Sequence, residues 1–439
     1  ETYAKFFPSN ENTPILLNDL ANELFTANDY IKAQAVSAKV VASKTAKAKV
    51  LYSSWLVNAH SSFELNQFKQ AEAAYKAALG FGRSNSKNIL QERLAASIYK
   101  QAEQESNFAL SADLYLKVVD TVPNSKIVPQ ALYDASSQLL ASKNWGRAIA
   151  TLSHFQSAFP QHKLYDEASE KLIFAYLENK ELIPAAEVLE RVSANSVDKV
   201  KSANYLYRAA DLYYNNGFEN EAVKLYQQFT SKYEQMFDLN IEAYDRISKY
   251  NEVSGNHSVA NDWKEKLVQY EKKYSAKRTD RSAYLASNAA LGLIMKDLEQ
   301  YKSYKLTLPL KKSLSKKKTL LKNVVKKFEA LVDYDVAEVT SGSTYQIAQV
   351  YRALAQDLML SQRPKGLTEL QLEQYNILLE EQAYPFEEQA LEIYKINISK
   401  VPDGEFDQWI KLSYRVLEEM NPAEYKRDFK EVSHVPSLY

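Results

Sequence analysis

The stretch RAADLYYNNGFENEAVKLYQQF, residues 208–229, consists of two halves with an apolar face, joined around its only glycine, Gly217. A single helix would tolerate the triplet Asn215–Gly217 poorly, because asparagine and glycine are weak helix formers. The same residues suit a turn, since glycine adopts left-handed backbone conformations and asparagine tolerates them. The stretch therefore predicts two helices that fold back on each other.

The second half of this stretch recurs along the chain at nearly constant spacing. The copies are YIKAQAVSAKVV (30–41), FKQAEAAYKAAL (68–79), FALSADLYLKVV (108–119), WGRAIATLSHFQ (145–156), LIPAAEVLERVS (182–193), FENEAVKLYQQF (218–229) and, more weakly, HSVANDWKEKLV (257–268). Each contains a small residue, its anchor: Ala33, Ala71, Ser111, Ala148, Ala185, Ala222 and Ala260. The steps between anchors are 38, 40, 37, 37, 37 and 38 residues, a register that unrelated helices would not keep.

The anchor and the positions four and seven residues after it form one face of a helix. A small anchor is what two closely approaching helices require. Pro123 and Pro160 each follow their anchor by 12 residues, where a proline ends a helix. Another amphipathic segment precedes the anchor, as in 131–142 and 203–214. Each unit is therefore predicted to be a helix, a turn and a second helix, and the fold class all-α.

This pattern resembles the tetratricopeptide repeat (TPR) family. The positions that match are Ala210, Tyr213, Ala222 and Tyr226 in one unit, and Tyr115, Pro123 and Pro160 in two others. The step is longer than the family's usual length of about 34 residues, and the place seven residues after the anchor is often large. The resemblance covers residues 15–275. It implies an α-solenoid, a superhelix of about seven helical hairpins over 1–275, with a C-terminal helical region, 276–439, that continues or caps it.

Composition restricts the possible functions. The 439 residues carry 55 basic and 55 acidic side chains, so net charge indicates no nucleic-acid partner. The absence of cysteine removes disulfides, thiol nucleophiles and cysteine metal sites, and it suits an oxidising compartment. No apolar run is long enough to cross a membrane. Because the chain starts at Glu1 without methionine, we expect a removed leader or an expressed fragment, and a lipid anchor before Glu1 stays open.

The segment 310–335 predicts a helix with one apolar stripe and many lysines. The lysines are Lys311, Lys312, Lys316, Lys317, Lys318, Lys322, Lys326 and Lys327. One interpretation is a docked helix with a solvated basic surface. The alternative is peripheral contact with anionic lipid, an acidic partner or, less readily, nucleic acid, since only one aromatic residue accompanies the lysines.

Two later segments resemble the C-terminal part of certain bacterial TPR proteins of the cell envelope. The points of resemblance are Tyr384–Glu388 and Asn421–Ala423. The resemblance implies a place in the periplasm or at the periplasmic face of the outer membrane, beside TonB-linked transport or gliding-motility machinery. Pro385 is expected to kink or break the helix that contains it.

Catalytic and metal-binding patterns are missing from the sequence. The five histidines include no pair at helical metal-ligand spacing, and no nucleophile elbow, phosphate loop or dinucleotide fingerprint occurs. We therefore expect neither an enzyme nor a cofactor or metal. The alternative is the non-catalytic superhelix of a cell-wall enzyme.

The expected function is a scaffold that binds a protein or peptide, from another subunit of an envelope complex, on the concave face of the solenoid. The first helix of each hairpin lines that face. The inward-facing candidates are Tyr133, Phe174, Glu178, Tyr207, Asp211, Tyr214 and Asn215. Tyrosine is a frequent interface residue, although packing between repeats explains tyrosines equally well.

Overall fold

The computed structural model describes residues 2–7, 9–81, 87–404 and 406–426. Within these ranges the chain forms helices joined by turns and short loops, and no strand is present. The predicted all-α fold is thereby confirmed. The chain divides into two compact units, unit 1 (Glu1–Phe218) and unit 2 (Glu219–Tyr439). The division at residue 275 that the sequence predicts marks the end of the repeat pattern, and it stays a prediction.

Unit 1 contains twelve helices within the described residues. They are α1 (Thr2–Phe6), α2 (Thr13–Thr26), α3 (Tyr30–Val41), α4 (Ala48–Glu64), α5 (Phe68–Phe81), α6 (Lys87–Gln104), α7 (Phe108–Thr121), α8 (Val128–Ala141), α9 (Trp145–Ala158), α10 (Tyr165–Glu178), α11 (Leu182–Asn195) and α12 (Lys199–Asn215). From α2 to α12, each helix packs on the helix before it. This is the packing of a row of helical hairpins.

The small anchors lie where the sequence pattern placed them, at buried positions of the second helices. Ala33, Ala71, Ala148, Ala185 and Ala222 are fully buried. Ser111 and Ala260 are almost fully buried, and the Ser111 hydroxyl donates to the Ala102 carbonyl oxygen of the preceding helix at 2.8 Å. A larger side chain at these positions would push the paired helices apart, since packed cores accommodate extra methylenes poorly.

Six of the turns share one backbone geometry. A residue with positive φ lies five positions before the anchor in each: Asn28, Asn66, Lys143, Lys180, Gly217 and Gly255. The next backbone N–H donates to a carbonyl oxygen five residues earlier, as from Phe218 to Tyr213 at 3.0 Å and from Asn144 to Leu139 at 2.8 Å. This bond ends the first helix in the manner of a Schellman motif. Gly217, at φ 82°, therefore occupies the turn between α12 and the next helix, as the opening stretch predicts.

Unit 2 contains nine α-helices within the described residues. They are α13 (Glu219–Lys232), α14 (Phe237–Val253), α15 (His257–Lys273), α16 (Asp280–Ser303), α17 (Leu310–Val332), α18 (Ala337–Met359), α19 (Glu369–Ile398), α20 (Gln408–Met420) and α21 (Pro422–Tyr425). From α14 to α21 each helix packs on its predecessor, and the pairs α14 and α16, α16 and α18, and α18 and α20 are also in contact. The main core of this unit is formed by α16, α17, α18 and α19 around Tyr301 and Phe328.

Two expectations about unit 2 are changed by the structure. The helix containing Pro385 is not broken, because α19 continues from Glu369 to Ile398. Pro385 is exposed, so water can satisfy the carbonyl group of Glu381 that loses its helical donor. The predicted apolar stripe of α17 is buried as expected at Leu321, Val324 and Phe328. Lys317, however, lies in the same buried stripe and not on the basic surface.

Candidate functional site

The first helices of successive hairpins in unit 1 are connected by hydrogen bonds from tyrosine to carboxylate. Tyr99 on α6 donates to Asp134 on α8. Tyr133 on α8 donates to Oε2 of Glu167 on α10 at 2.9 Å, and Tyr205 on α12 donates to Oε1 of Glu170 on α10 at 2.8 Å. We call these three pairs the tyrosine–carboxylate ladder. The paired residues are 34 or 35 positions apart, close to the repeat step, so the ladder reflects the stacking of equivalent helices.

The ladder tyrosines are neutral donors at physiological pH. Burial, together with the hydrogen bond to Glu167, raises the pKa of Tyr133 to about 12. Burial and the hydrogen bond to Glu170 likewise raise the pKa of Tyr205 to about 12. Burial and Asp134 move the pKa of Tyr99 further upward. These hydroxyls therefore serve to fix neighbouring helices and not to exchange protons.

Two lysines add further contacts to the same surface. Lys171 on α10 donates to the Ser137 hydroxyl on α8 at 3.0 Å, and its ammonium lies 4.9 Å from the ring centre of Tyr133. Lys201 on α12 lies 3.9 Å from Glu170. We name the surface formed by the ladder side chains of α8, α10 and α12, the two lysines, Phe174 and Glu178 the α8–α10–α12 face. Charged and polar contacts hold its ladder and lysine side chains.

Phe174 and Glu178 extend this face along α10. Residues 167, 171, 174 and 178 lie on one side of the helix, because their spacing is three or four residues. The Phe174 side chain is 47% exposed, and its ring is nearly perpendicular to that of Trp145, with 5.8 Å between the ring centres. Glu178 is exposed. An aromatic ring is therefore offered to solvent between Lys171, which is already paired, and the exposed carboxylate of Glu178.

The structure places the other sequence candidates on α8 and α12. Tyr133 belongs to the ladder and contacts the next repeat. Packing between repeats was the alternative to partner binding that the sequence left open for the tyrosines. Tyr207, Asp211 and Tyr214 are half-buried on α12. Asn215 is exposed, and its amide donates to Asp211 at 3.3 Å. Phe174 and Asp211, like Glu178 and Asn215, are one repeat step of 37 residues apart, so they occupy equivalent positions on successive first helices.

Sequence reasoning missed the partners of the ladder. Glu167, Glu170, Lys171 and Tyr205 were not among the candidates, although they make most of the contacts across the face. A usable signal exists, since tyrosine and carboxylate recur at an offset just below the repeat step. The offset is shorter than the repeat step because the side chains that pair on neighbouring first helices lie about one helical turn away from equivalent positions of the repeat.

The described histidines are not arranged as metal ligands. His60 shares a hydrogen bond of 2.7 Å with the Tyr75 hydroxyl, and burial lowers the pKa of His60. No group of three or more potential ligand side chains is present in the part of the chain that the structure describes. His434 lies outside the described residues. None of the described helices is both long and apolar enough to span a membrane.

The lysines of α17 fall into two groups. Lys317 is fully buried, where it forms an ion pair with Asp357, donates to the Tyr304 carbonyl oxygen at 2.7 Å and lies 4.9 Å from the ring centre of Tyr301. Lys327 pairs with Asp297 at 2.5 Å, and the half-buried Lys318 lies over the Phe386 ring at 5.0 Å. The basic row, as we call the second group, comprises the exposed lysines that form no ion pair with a described residue: Lys311, Lys312, Lys316, Lys322 and Lys326.

Comparison with known proteins finds likeness at the level of structure alone. No protein-family model and no curated protein sequence matches the chain. Among solved structures, the TPR domain of P58(IPK) is 14% identical, with 94% of this chain and 99% of that chain covered and a TM-score of 0.23. YrrB, a TPR protein with an unusual peptide-binding site, is 18% identical, with coverage of 48% and 92% and a TM-score of 0.25.

The TPR-like repeats of a kinesin light chain from Podosopora anserina are also 18% identical, with coverage of 40% and 92% and a TM-score of 0.23. The buried anchors, the shared turn geometry and the helix-by-helix packing characterise the chain itself. By fold, it is a repeat protein of TPR-like helical hairpins.

Proposed function

We propose that the chain is a non-enzymatic scaffold that binds an extended segment of a protein partner along the α8–α10–α12 face. The observation that carries this proposal is the exposed ring of Phe174 on a surface whose polar neighbours are held in place by the ladder. Exposed aromatic side chains on rigid elements are frequent anchors of protein contacts. A surface that is ordered before binding also loses less entropy on association.

The chemistry of the face indicates what the bound segment contains. Phe174 offers an apolar contact, and the exposed carboxylate of Glu178 lies one helical turn away on the same side. A segment with an apolar residue followed by a basic residue would satisfy both groups. The carboxylates of Glu167 and Glu170 already accept bonds from tyrosines, so they contribute charge to the face more than new direct partners.

A scaffold role is also favoured over catalysis by the state of the buried carboxylates. Burial would raise the pKa of Glu72, but hydrogen bonds from Lys117, Lys76 and Gln101 outweigh it and leave this pKa below its ordinary value. The buried Glu271 is bound by the guanidinium of Arg278 at 2.5 and 2.9 Å. A general acid needs the opposite arrangement, a carboxyl group with a raised pKa in an open cleft.

The location that we propose is the bacterial periplasm or the periplasmic face of the outer membrane, within a complex of the kind that accompanies TonB-linked transport or gliding motility. The absence of cysteine and the resemblance of the C-terminal segments support this location. Fractionation of the source cells tests it. Recovery of the chain with cytoplasmic markers would rule it out.

A matched pair of phenylalanine variants tests binding at the face. Peptides selected from a displayed random library against the whole chain provide the probe. Phe174→Ala is expected to weaken binding of the selected peptides about tenfold, in line with the loss of an aromatic interface anchor. The control is Phe108→Ala on α7, where a phenylalanine of similar exposure, 52%, lies on a second helix.

The outcome separates the face from other surfaces. Phe108→Ala should leave peptide affinity unchanged, and both variants should keep the helical circular-dichroism signal of the parent chain. Equal affinity of Phe174→Ala and the parent chain would refute binding at the α8–α10–α12 face.

A further inference from the structure

Unit 2 presents a second charged surface besides the basic row of α17. Between Leu367 and Tyr394 the chain has seven glutamates and no lysine or arginine. We call the central five of these the acidic row: Glu373, Glu380, Glu381, Glu387 and Glu388. All five are exposed on α19, and none forms an ion pair with a residue that the structure describes. The same holds for the five lysines of the basic row.

Exposed apolar side chains lie among the residues of the acidic row. Leu370, Ile377 and Tyr384 follow each other at intervals of seven residues, so they lie close to one line along α19, with Leu378 beside them. All four are exposed, which is unusual for a run of large apolar residues on one helix. The outer side of α19 therefore has the composition of a contact surface, an apolar line with acidic flanks.

The two rows match in length, and the helices that carry them touch at one point. Lys311 to Lys326 and Glu373 to Glu388 each span 15 residue steps, about 22 Å along a helix. The ammonium of Lys318, on α17, lies over the ring of Phe386, on α19, so the two helices meet at this point. Two shallow depressions along α17, lined by lysines such as Lys311, Lys316 and Lys322, could receive carboxylate side chains.

We propose that two copies of the chain pair through unit 2, with the basic row of each copy on the acidic row of the other. Because α17 and α19 touch at Lys318 and Phe386, a two-fold axis near this point would form both contacts at once, and a two-fold contact closes after one pair. The argument for a second copy as the occupant is charge complementarity. One chain carries both halves of the contact, and a formal net charge of zero leaves little overall repulsion between copies.

Charge reversal tests the pairing. One variant carries Lys311→Glu, Lys312→Glu and Lys316→Glu, and the other carries Glu380→Lys, Glu381→Lys and Glu388→Lys. Sedimentation equilibrium of the whole chain should show dimers for the parent and single chains for each variant alone. An equimolar mixture of the two variants should dimerise again, since both contacts then join opposite charges. The dissociation constant of the parent dimer should rise about tenfold or more between about 0.05 M and about 0.5 M salt.

Two controls keep the result specific. The variant Lys87→Glu, Lys163→Glu and Lys224→Glu reverses exposed lysines outside α17 and should dimerise like the parent. Circular dichroism should show that every variant is folded. A parent chain that stays single at all concentrations, grows into open-ended oligomers, or binds anionic phosphatidylserine vesicles without dimerising would overturn the proposal. Failure of the mixed variants to associate would overturn it as well.

Discussion

Replacement of Lys317 by alanine is expected to lower the free energy of unfolding of unit 2 by about 3 kcal/mol. The Lys317 side chain has no exposed surface, and its ammonium is bound by the carboxylate of Asp357 and the carbonyl oxygen of Tyr304. Alanine would remove the cation, leave Asp357 without its partner and open a cavity in the core around Tyr301. Since Asp357 is 25% exposed, water can solvate its carboxylate in part once Lys317 is gone. The expected loss of stability is therefore at the lower end of the range for removing one partner of a buried ion pair.

The neighbouring lysine provides the control for this prediction. Lys316 is exposed and lies 5.2 Å from the ring centre of Tyr304, so Lys316→Ala should cost less than about 1 kcal/mol. In a double-mutant cycle, Lys317→Met combined with Asp357→Asn should cost less than the sum of the two single changes. Urea unfolding followed by circular dichroism measures all of these values. Equal losses for Lys316→Ala and Lys317→Ala would show that Lys317 is not buried.

A second large effect is expected at Glu72, which connects three helices of unit 1. Its carboxylate lies 2.7 Å from Lys76 on α5 and 2.7 Å from Lys117 on α7, and it accepts from Gln101 on α6 at 2.8 Å. Glu72→Gln should lower the free energy of unfolding at pH 7 by about 2 kcal/mol, because charge-assisted hydrogen bonds at a buried carboxylate are lost.

The stability effect of Glu72→Gln should depend on pH, and the pKa of Glu72 gives the direction of that dependence. The folded pKa of Glu72 lies below the ordinary value of 4.5, so the carboxylate stabilises the folded chain at and above pH 5. That contribution is lost as the pH falls through the folded pKa. The stability difference between the parent and Glu72→Gln should therefore shrink below pH 4.5. Glu103→Gln, which breaks a surface pair with Lys100, should cost only about 0.5 kcal/mol at either pH. The role of Glu72 would be contradicted if Glu72→Gln cost no more stability than Glu103→Gln. It would also be contradicted if the cost of Glu72→Gln did not change with pH.

The hairpins could be predicted from the sequence because their signal is local and repeated. Each anchor, such as Ala148, defines a helix face by spacing alone, and the register confirms it several times over. The positive φ angles of Asn66, Lys143 and Lys180 were not predicted, since among the residue types only glycine is a reliable indicator of that conformation. Their fixed position five residues before the anchor is visible once one such turn is known.

Lys317 shows why the side-chain contacts were harder to predict. In sequence it lies within the run Lys316–Lys318, which indicates a solvated surface. Its position three residues after Leu314 and four before Leu321 places it in the apolar stripe, and that spacing is the signal that was overlooked. Asp357, its partner, is 40 residues away on another helix, and no pattern in the sequence connects the two. The ladder pairs of unit 1 are non-local in the same way.

Site-specific photo-crosslinking measures most directly which surface of unit 1 holds a partner. A photoreactive phenylalanine analogue is placed at position 174 in one chain and at position 108 in another, and each is irradiated with a selected peptide. Binding on the α8–α10–α12 face predicts a crosslinked product from position 174 and almost none from position 108. Equal yields from both positions, or a product from position 108 alone, would contradict it.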